Sequence, residues 1–243
     1  MKELTHICRG FTDEQWKGLR ERLIRDGEIQ DDEAAWNCAV EVFERRIRER
    51  FLSCVETLEK ADSRSDVEVE AGAPGDCSRL PDDKGAVIVV PGFAIMALCC
   101  LLIETLQSFR EAPEPQAPVT GPCSYPQGPC IRPPSSTADL FREFLQRPSF
   151  HGEFDGEIAT RFVRGIRDGI LHEAETRRWV IWRDQPVGHI LGSYGDGYAL
   201  NRAAFYGALK SEFENYLQEL REPRNQVLRK RFVKKMNDIV KEV

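Results

Sequence analysis

The sequence predicts an all-α fold, a helical bundle with one small β-hairpin. Apolar residues recur every three or four positions over 34–58, 140–172 and 201–220, which is the period of an amphipathic helix. A hairpin pattern is confined to one short stretch, near 178–192. No strand run is long enough for a doubly wound sheet, and the sequence has no P-loop, GxGxxG, HExxH or GxSxG motif and no internal repeat.

The N-terminal part of the chain predicts two helices. The first extends over 11–27, with Thr12 as its N-cap, Gln15 three residues on as in a capping box, and Gly27 as its stop. The second begins at a cap on Asp31 or Asp32 and continues to about residue 60. Its apolar stripe comprises Trp36, Val40, Phe43, Ile47, Phe51, Val55 and Leu58.

An apolar segment over 86–103 reaches the lower length limit for a membrane span. Pro91-Gly92 interrupts it, and polar residues follow Ile103 in helical phase. We therefore expect a buried bundle helix over about 91–111 rather than a membrane segment, with Pro91 near its first turn.

Two polar stretches on either side of this helix, 61–85 and 112–136, are rich in residues that break helices. The second contains eight of the 14 prolines. We expect both to be flexible surface insertions in a single helical domain over 1–243. A proline-rich ligand for a partner protein is the alternative for the second stretch.

Four helices are expected after the second insertion. A short one is capped by Ser136 or Thr137, the next begins at Asp155, a third extends from Asn201 to about 221, and Pro223 precedes a basic one. The predicted hairpin pairs 179–182 with 189–191, with a possible third strand at 198–200. The core face of the helix that begins at Asp155 comprises Ile158, Ala159, Phe162, Val163, Ile166 and Ile170.

Composition bounds the partners and the compartment. The net charge of −6 argues against a general nucleic-acid coat, but 221–243 holds eight Lys and Arg against three acidic residues, a local excess of +5. The eight cysteines form no CxxC pair, so we expect reduced thiols, no bound zinc or other cofactor, and a cytoplasmic protein.

The strongest functional signal is the end of the helix that begins at Asp155. Arg167, Asp168 and His172 lie there, in the order basic, polar, histidine. Metal-free RNA cleavage needs a base for the ribose 2′-hydroxyl, an acid for the leaving 5′-oxygen and a cation for the phosphate. Histidine suits the proton transfers and arginine suits the phosphate. One histidine cannot easily serve both sides of the phosphorus, so a two-fold dimer would bring two copies together.

The spacing alone is a weak signal, because Arg183 and His189 also satisfy it across a Pro- and Gly-containing turn. Five residues of ideal α-helix also place Arg167 and His172 about 140° apart around the axis. The two side chains converge only if the helix end is distorted, or if the arginine stem curls round. Gly169 between them permits a bend or a close helix contact.

The surrounding residues, FVRGIRDGILHEAETRRW, resemble the HEPN superfamily of nucleotide-binding helical domains. The helices over ALCCLLIETLQSFREA and DLFREFLQR are also similar to those that precede the motif in this family. The likeness covers about 90–221, and the N-terminal helix would complete a HEPN-like bundle over roughly 31–221.

The resemblance implies a metal-independent endoribonuclease whose active site is shared by a homodimer, giving 2′,3′-cyclic phosphate and 5′-hydroxyl ends. It implies Arg167, Asp168 and His172 as catalytic residues and Arg164 and Glu173 as substrate-binding residues. Many members are toxins or defence effectors with an antitoxin or regulatory partner. Others are non-catalytic nucleotide- or RNA-binding proteins or scaffolds, which is the alternative here.

Structural roles stand beside each of these assignments. His172 could contact the last helix carbonyls, Arg167 could pair with Glu173 or Glu175, and Asp168 could pair with Arg164. His151 and His189 are expected to be loop or hairpin residues. The aromatic residues Trp179, Trp182, Tyr194 and Tyr198 could stack on bases or pack the hairpin.

Overall fold

The computed structural model describes residues 6–62, 91–112 and 136–241, and helices form most of this part, as predicted. Its α-helices are α1 (Asp13–Leu23), α2 (Glu33–Ile47), α3 (Ser53–Asp62), α4 (Gly92–Arg110), α5 (Thr137–Leu145), α6 (Gly156–Phe162), α7 (Arg202–Arg221) and α8 (Gln226–Lys241). Its strands are β1 (His6–Cys8), β2 (Phe11–Thr12), β3 (Ile24–Arg25), β4 (Glu28–Ile29), β5 (Trp179–Trp182), β6 (Leu191–Tyr194) and β7 (Gly197–Asn201). The predicted insertions, apart from their ends, fall outside the described residues.

Helix starts follow local chemistry and were predicted correctly. Thr12 forms a capping box with Gln15. The caps of α2, α5, α6 and α7 each accept a hydrogen bond from the backbone N–H three residues on; they are Asp32, Ser136, Asp155 and Asn201. These side-chain oxygens satisfy N–H groups that the first helical turn leaves unpaired.

Helix ends agree with the sequence less closely. The first helix ends at Leu23, because β3 and β4 form a tight hairpin through Asp26 and Gly27, which both have positive φ. The prediction that this helix continues to Gly27 is therefore wrong, because a short hairpin follows Leu23. The second helix does extend past residue 60, since the π-helical turn Arg48–Leu52 joins α2 to α3.

The predicted single hairpin is also wrong, because the described part contains three small sheets. The N-terminal strands β1 and β2 pair with each other, as do β3 and β4. The third sheet has the order β5-β7-β6, so β5 pairs with β7 in parallel and only β6 pairs with it antiparallel. The expected third strand at 198–200 is thus the centre of this sheet, and β5 does not pair with the segment around His189.

The core is one cluster to which every part of the bundle contributes. The Phe43 ring of α2 lies 4.6 Å from Phe109 of α4 and 5.5 Å from Phe232 of α8, measured between centroids. Near the small sheet, Phe162 stacks on Phe205 of α7 at 5.3 Å. Ring pairs of this kind stabilise the packing beyond simple burial of area.

Helix α4 is the apolar helix predicted over about 91–111. It is long and apolar enough to cross a membrane by composition, with a mean hydropathy of 1.7 over its best window, but 56% of that window is buried inside the protein. Ile95, Cys100 and Leu106 on its inner face are fully buried. It is therefore a central helix of the bundle.

Candidate functional site

The helix that carries the predicted site begins as α6 and then changes its winding. Asp155 accepts a hydrogen bond from the Ile158 N–H at 2.7 Å, and Phe162 and Ile166 are fully buried. After Phe162 the backbone forms two π-helical turns, Val163–Arg167 and Gly169–Glu173. The Asp168 N–H donates to the Val163 carbonyl, and the Ala174 N–H to that of Gly169. The helix end is therefore distorted, which is one of the two conditions under which the side chains of Arg167 and His172 could converge.

This winding bears directly on the angle between Arg167 and His172. A π-type bond joins residues five apart, so each such turn holds more residues than an α-helical turn. Two residues at that spacing consequently lie closer to one face than the roughly 140° of an ideal α-helix allows. Single π-helical turns inside helices occur frequently at functional sites.

Arg167 is held by two carboxylates. Its Nε donates to Glu104 Oε1 of α4 at 2.9 Å, and its Nη1 donates to Asp168 Oδ1 at 2.9 Å. The side chain is 20% exposed. Burial lowers its pKa, but the hydrogen bonds to Asp168 and Glu104 outweigh burial and raise it above the usual arginine value. The guanidinium therefore stays charged and oriented.

These contacts correct two structural alternatives. Arg167 pairs with Glu104 and Asp168, and not with Glu173 or Glu175. Asp168 pairs with Arg167, and not with Arg164 one turn earlier. Glu104 is the residue that sequence reasoning missed. It stands 63 positions before Arg167, and only its helical phase on α4 could have indicated that it faces the bundle.

His172 lies on the exposed surface near the end of the second π-helical turn. Within the described residues, its side chain has no hydrogen bond or ion pair, so the alternative of a contact to the last helix carbonyls is not observed. The next residue, Glu173, instead forms an ion pair with Arg177, whose Nε donates to its Oε2 at 2.7 Å. The imidazole is thus open to solvent.

The chain turns sharply back over the helix at Gly169. The Glu175 N–H donates to the Gly169 carbonyl at 3.2 Å, and a Cβ on Gly169 would lie 2.3 Å from the Glu175 carbonyl oxygen. Ala174 and Arg178, which flank this return, both have φ near +55°. Non-glycine residues rarely adopt that backbone conformation, and such strain concentrates at functional sites. Gly169 therefore provides the close contact that the sequence suggested.

A cleft of about 600 Å³ opens between this helix and the third sheet. Four arginines line it, together with two acidic residues, two glycines and two aromatic rings; they are Arg161, Arg164, Arg177, Arg178, Glu157, Asp196, Gly165, Gly197, Trp179 and Tyr198, with Thr160 beside them. Three of the arginines have carboxylate partners, in the pairs Arg161–Glu157, Arg177–Glu173 and Arg178–Asp196. Arg164 is exposed and has no ion pair in the part of the chain that the structure describes.

The other histidines and the aromatic residues considered from the sequence lie in turns and loops or pack the third sheet. His151 ends the turn Pro148–Phe150, and His189 lies in the loop before β6, as expected for both. Arg183 and His189 flank this loop and share no helix. The aromatic residues pack the third sheet, Trp179 stacked on Tyr198 at 4.7 Å and Trp182 edge-on to Tyr194 at 5.5 Å.

The basic C-terminal helix, α8, uses several of its cations to bind the bundle. Arg229 lies 4.3 Å above the Trp36 ring and donates to the carbonyls of Leu220 and Arg221. Arg231 donates to the Arg110 carbonyl at 2.9 Å. These two arginines of the basic segment therefore hold α8 against the rest of the bundle.

No group of three or more His, Cys, Asp or Glu residues that could hold a metal ion occurs in the described ranges. Comparison of the chain with protein-family models, with curated proteins and with solved structures found no match.

Proposed function

We propose that this protein is a metal-independent endoribonuclease of the HEPN type, with a composite active site formed by two copies of the chain. The observation that carries the proposal is a charged, doubly anchored Arg167 at the end of the first π-helical turn, followed five residues later by an exposed His172 in the second, whose side chain has no hydrogen bond or ion pair among the described residues. Arginine supplies the cation for the phosphate and histidine the proton transfers. No cofactor is needed for this chemistry.

The reaction follows from the two proton transfers. One His172 removes the proton from the ribose 2′-hydroxyl, and the 2′-oxygen attacks phosphorus. The bond to the 5′-oxygen breaks, and the His172 of the second copy donates a proton to that oxygen. The products are a 2′,3′-cyclic phosphate and a 5′-hydroxyl. Arg167 stabilises the charge on the non-bridging oxygens. Its Nη2 has no hydrogen-bond partner among the described residues, so this nitrogen can donate to them.

Four further residues support the pair. Asp168 and Glu104 orient the guanidinium of Arg167 through hydrogen bonds of 2.9 Å each. Arg164 lies on the same helix, has no ion pair among the described residues, and would contact substrate phosphate. Glu173 remains a proposed substrate-binding residue, although its ion pair with Arg177 would have to yield to substrate.

Three exposed apolar side chains on α4 and on the site helix favour association with a second copy. Phe93 and Leu101 on α4 are 40% and 42% exposed, and Leu171 next to His172 is 38% exposed. Leu101 lies one helical turn from Glu104, the residue that holds Arg167. We propose that a two-fold contact buries these apolar side chains and brings the two copies of His172 together.

The second candidate is a non-catalytic RNA-binding or scaffold protein of the same fold. It is favoured by the two carboxylates on Arg167, because an arginine paired in this way also fits a purely structural role. A toxin or defence role, with an antitoxin or regulatory partner, stays an expectation from the resemblance.

The test is RNA cleavage in EDTA by the wild type and by His172→Ala, with His151→Ala as the matched histidine control. We expect His172→Ala to abolish cleavage, because both proton transfers are lost. The thermal midpoint should be nearly unchanged, because His172 is exposed and has no hydrogen bond within the described residues. Arg167→Lys keeps the charge but loses the planar fork, and we expect a rate loss of roughly 10²–10³. Cleavage by His172→Ala at the wild-type rate would refute the nuclease proposal, and a wild type that cuts no RNA would favour the second candidate.

A further inference from the structure

The cleft between α6 and the third sheet has an unbalanced positive charge. Four arginines and two acidic residues line it, a net charge of +2 in a protein whose net charge is −6. Three of the arginines form ion pairs, but both partners in each pair are exposed. Exposed pairs typically contribute less than about 1 kcal/mol, and a guanidinium has several N–H donors. These arginines therefore keep donors for a further anion.

Arg164 is the strongest point of attraction in this lining. It is exposed, and it has no ion pair within the described ranges. A cation without an acidic neighbour attracts an anion from elsewhere more strongly than a paired one does.

The chain itself contains an acidic segment between α3 and α4. Residues 63–90 lie outside the described ranges, and 66–70 within them have the sequence DVEVE, with three carboxylates and no basic residue. The segment between α4 and α5, 113–135, has a single acidic residue, Glu114. Alternate side chains of an extended chain lie on one face, so an extended 66–70 would present Asp66, Glu68 and Glu70 together.

Both ends of the segment 63–90 lie beside the strand that lines the cleft. Asp62, the last residue of α3, forms an ion pair with Arg202, whose side chain is only 4% exposed. At the other end, a Cβ on Gly92 would lie 3.2 Å from Nη1 of the same Arg202. Arg202 directly follows β7, the strand that carries Tyr198 into the cleft.

The acidic run is close enough along the chain to reach the cleft. Tyr198 precedes Arg202 by four residues, which is about 13 Å along a strand. Asp66 follows Asp62 by four residues and Glu70 follows it by eight, so the run can extend about 13 to 26 Å from Asp62. A segment tethered at this range has an effective concentration on the order of millimolar. Individually weak contacts are therefore sufficient to hold it in the cleft.

We propose that residues 66–70 of the chain dock in the arginine cleft, with their carboxylates on Arg164 and its neighbouring arginines. The contact is electrostatic, so it weakens as salt increases. The docking rests on the charges and on where the segment begins and ends. Its consequence for activity rests on the proposed function: the segment competes with substrate phosphate for Arg164 and lowers the rate of RNA cleavage.

The first experiment measures how fast phenylglyoxal modifies Arg164, read by mass spectrometry. The test variant, Asp66→Asn/Glu68→Gln/Glu70→Gln, removes the three charges of the run. The matched control, Asp76→Asn/Asp82→Asn/Asp83→Asn, removes three charges from the same segment. We expect Arg164 to react at least threefold faster in the test variant and at the wild-type rate in the control. Equal rates at Arg164 in all three proteins would overturn the inference.

The second experiment identifies the occupant by carbodiimide coupling, which joins an amine to a carboxylate in contact with it. Arg164→Lys supplies the amine, and Arg224→Lys, at an exposed position in the loop after α7, is the control. We expect position 164 to couple to the run 66–70 and position 224 not to couple to it. Mixing isotope-labelled with unlabelled chains shows whether the coupled residues belong to one chain. No coupling, or coupling only between chains, would contradict docking within the chain.

RNA cleavage separates this inference from the nuclease proposal. If both hold, the test variant cleaves RNA faster than the wild type, while the control variant cleaves at the wild-type rate. Faster modification of Arg164 in proteins that cut no RNA would support the docking and count against the nuclease. Unchanged modification in a protein that cuts RNA would refute the docking alone.

Discussion

Substitution of Gly169 by alanine tests whether the return of the chain over the helix fixes the site. The added Cβ would lie 2.3 Å from the Glu175 carbonyl oxygen, where contacts below 3.0 Å essentially never occur, so about 0.7 Å must be regained by moving backbone. Overpacking of this kind costs about 1–3 kcal/mol, and loss of the Glu175 N–H bond to Gly169 adds about 1 kcal/mol. Higher helix propensity returns at most about 1 kcal/mol. We expect a net loss of about 2 kcal/mol.

Gly207→Ala is the matched control. Gly207 is an exposed glycine in α7, and a Cβ there meets nothing within 4 Å. It should therefore gain about 1 kcal/mol from helix propensity. Urea unfolding of both variants measures the two free energies, and in a domain of this size each kcal/mol corresponds to roughly 2–4 °C in Tm. Equal stability gains in Gly169→Ala and Gly207→Ala would refute the close contact.

Two further predictions concern association and alkaline stability. Leu101→Lys should give a folded monomer that no longer cleaves RNA, whereas Val227→Lys, which alters an exposed apolar residue on α8, should leave a dimer. Light scattering measures the oligomeric state of both variants. A wild-type monomer at micromolar concentration would contradict the composite site. Burial raises the pKa of the Cys99 thiol to about 12 and also raises that of Cys100, so the folded state keeps both protons after the unfolded thiols lose theirs above about pH 8.5. The free energy of unfolding should consequently be highest below that pH and fall above it, by up to about 1.4 kcal/mol per pH unit for each thiol. Urea unfolding at pH 8 and pH 10 measures this fall, and equal values at the two pH values would contradict it.

The features that sequence reasoning predicted correctly depend on short-range chemistry. Caps such as Asp155 and Asn201 act on the N–H three residues on, so a local pattern is sufficient. The buried face of α4 follows from its apolar composition. The pairing of β5 with β7 was not predicted, because a parallel pairing depends on how both segments dock on the bundle. The N-terminal strands, two or three residues long, give no periodic signal.

The candidate site likewise has residues that the sequence predicted and contacts that it did not. Arg167, Asp168 and His172 were identified from their order along the chain, and their position at a helix end was expected. Glu104 was not, because ion pairs between distant helices depend on tertiary packing. Nor could the cleft have been predicted, since Arg161 and Arg164 meet Arg177 and Arg178 only after the loop folds back.

The π-helical winding connects these observations. On an ideal α-helix Arg167 and His172 would diverge, and the sequence alone offers two ways for them to converge, a distortion permitted by Gly169 or a curled arginine stem. In the structure, Gly169 begins the second π-helical turn, and its lack of a side chain admits the Glu175 carbonyl. Gly165, in the first such turn, admits Trp179 in the same way. The two glycines thus permit the returning chain to lie against both widened turns, and the same contacts position the arginines of the cleft. A substitution at either glycine should therefore disturb the Arg167–His172 angle and the cleft together, whereas Arg164→Gln should remove one arginine of the cleft and leave the Arg167–His172 angle unchanged.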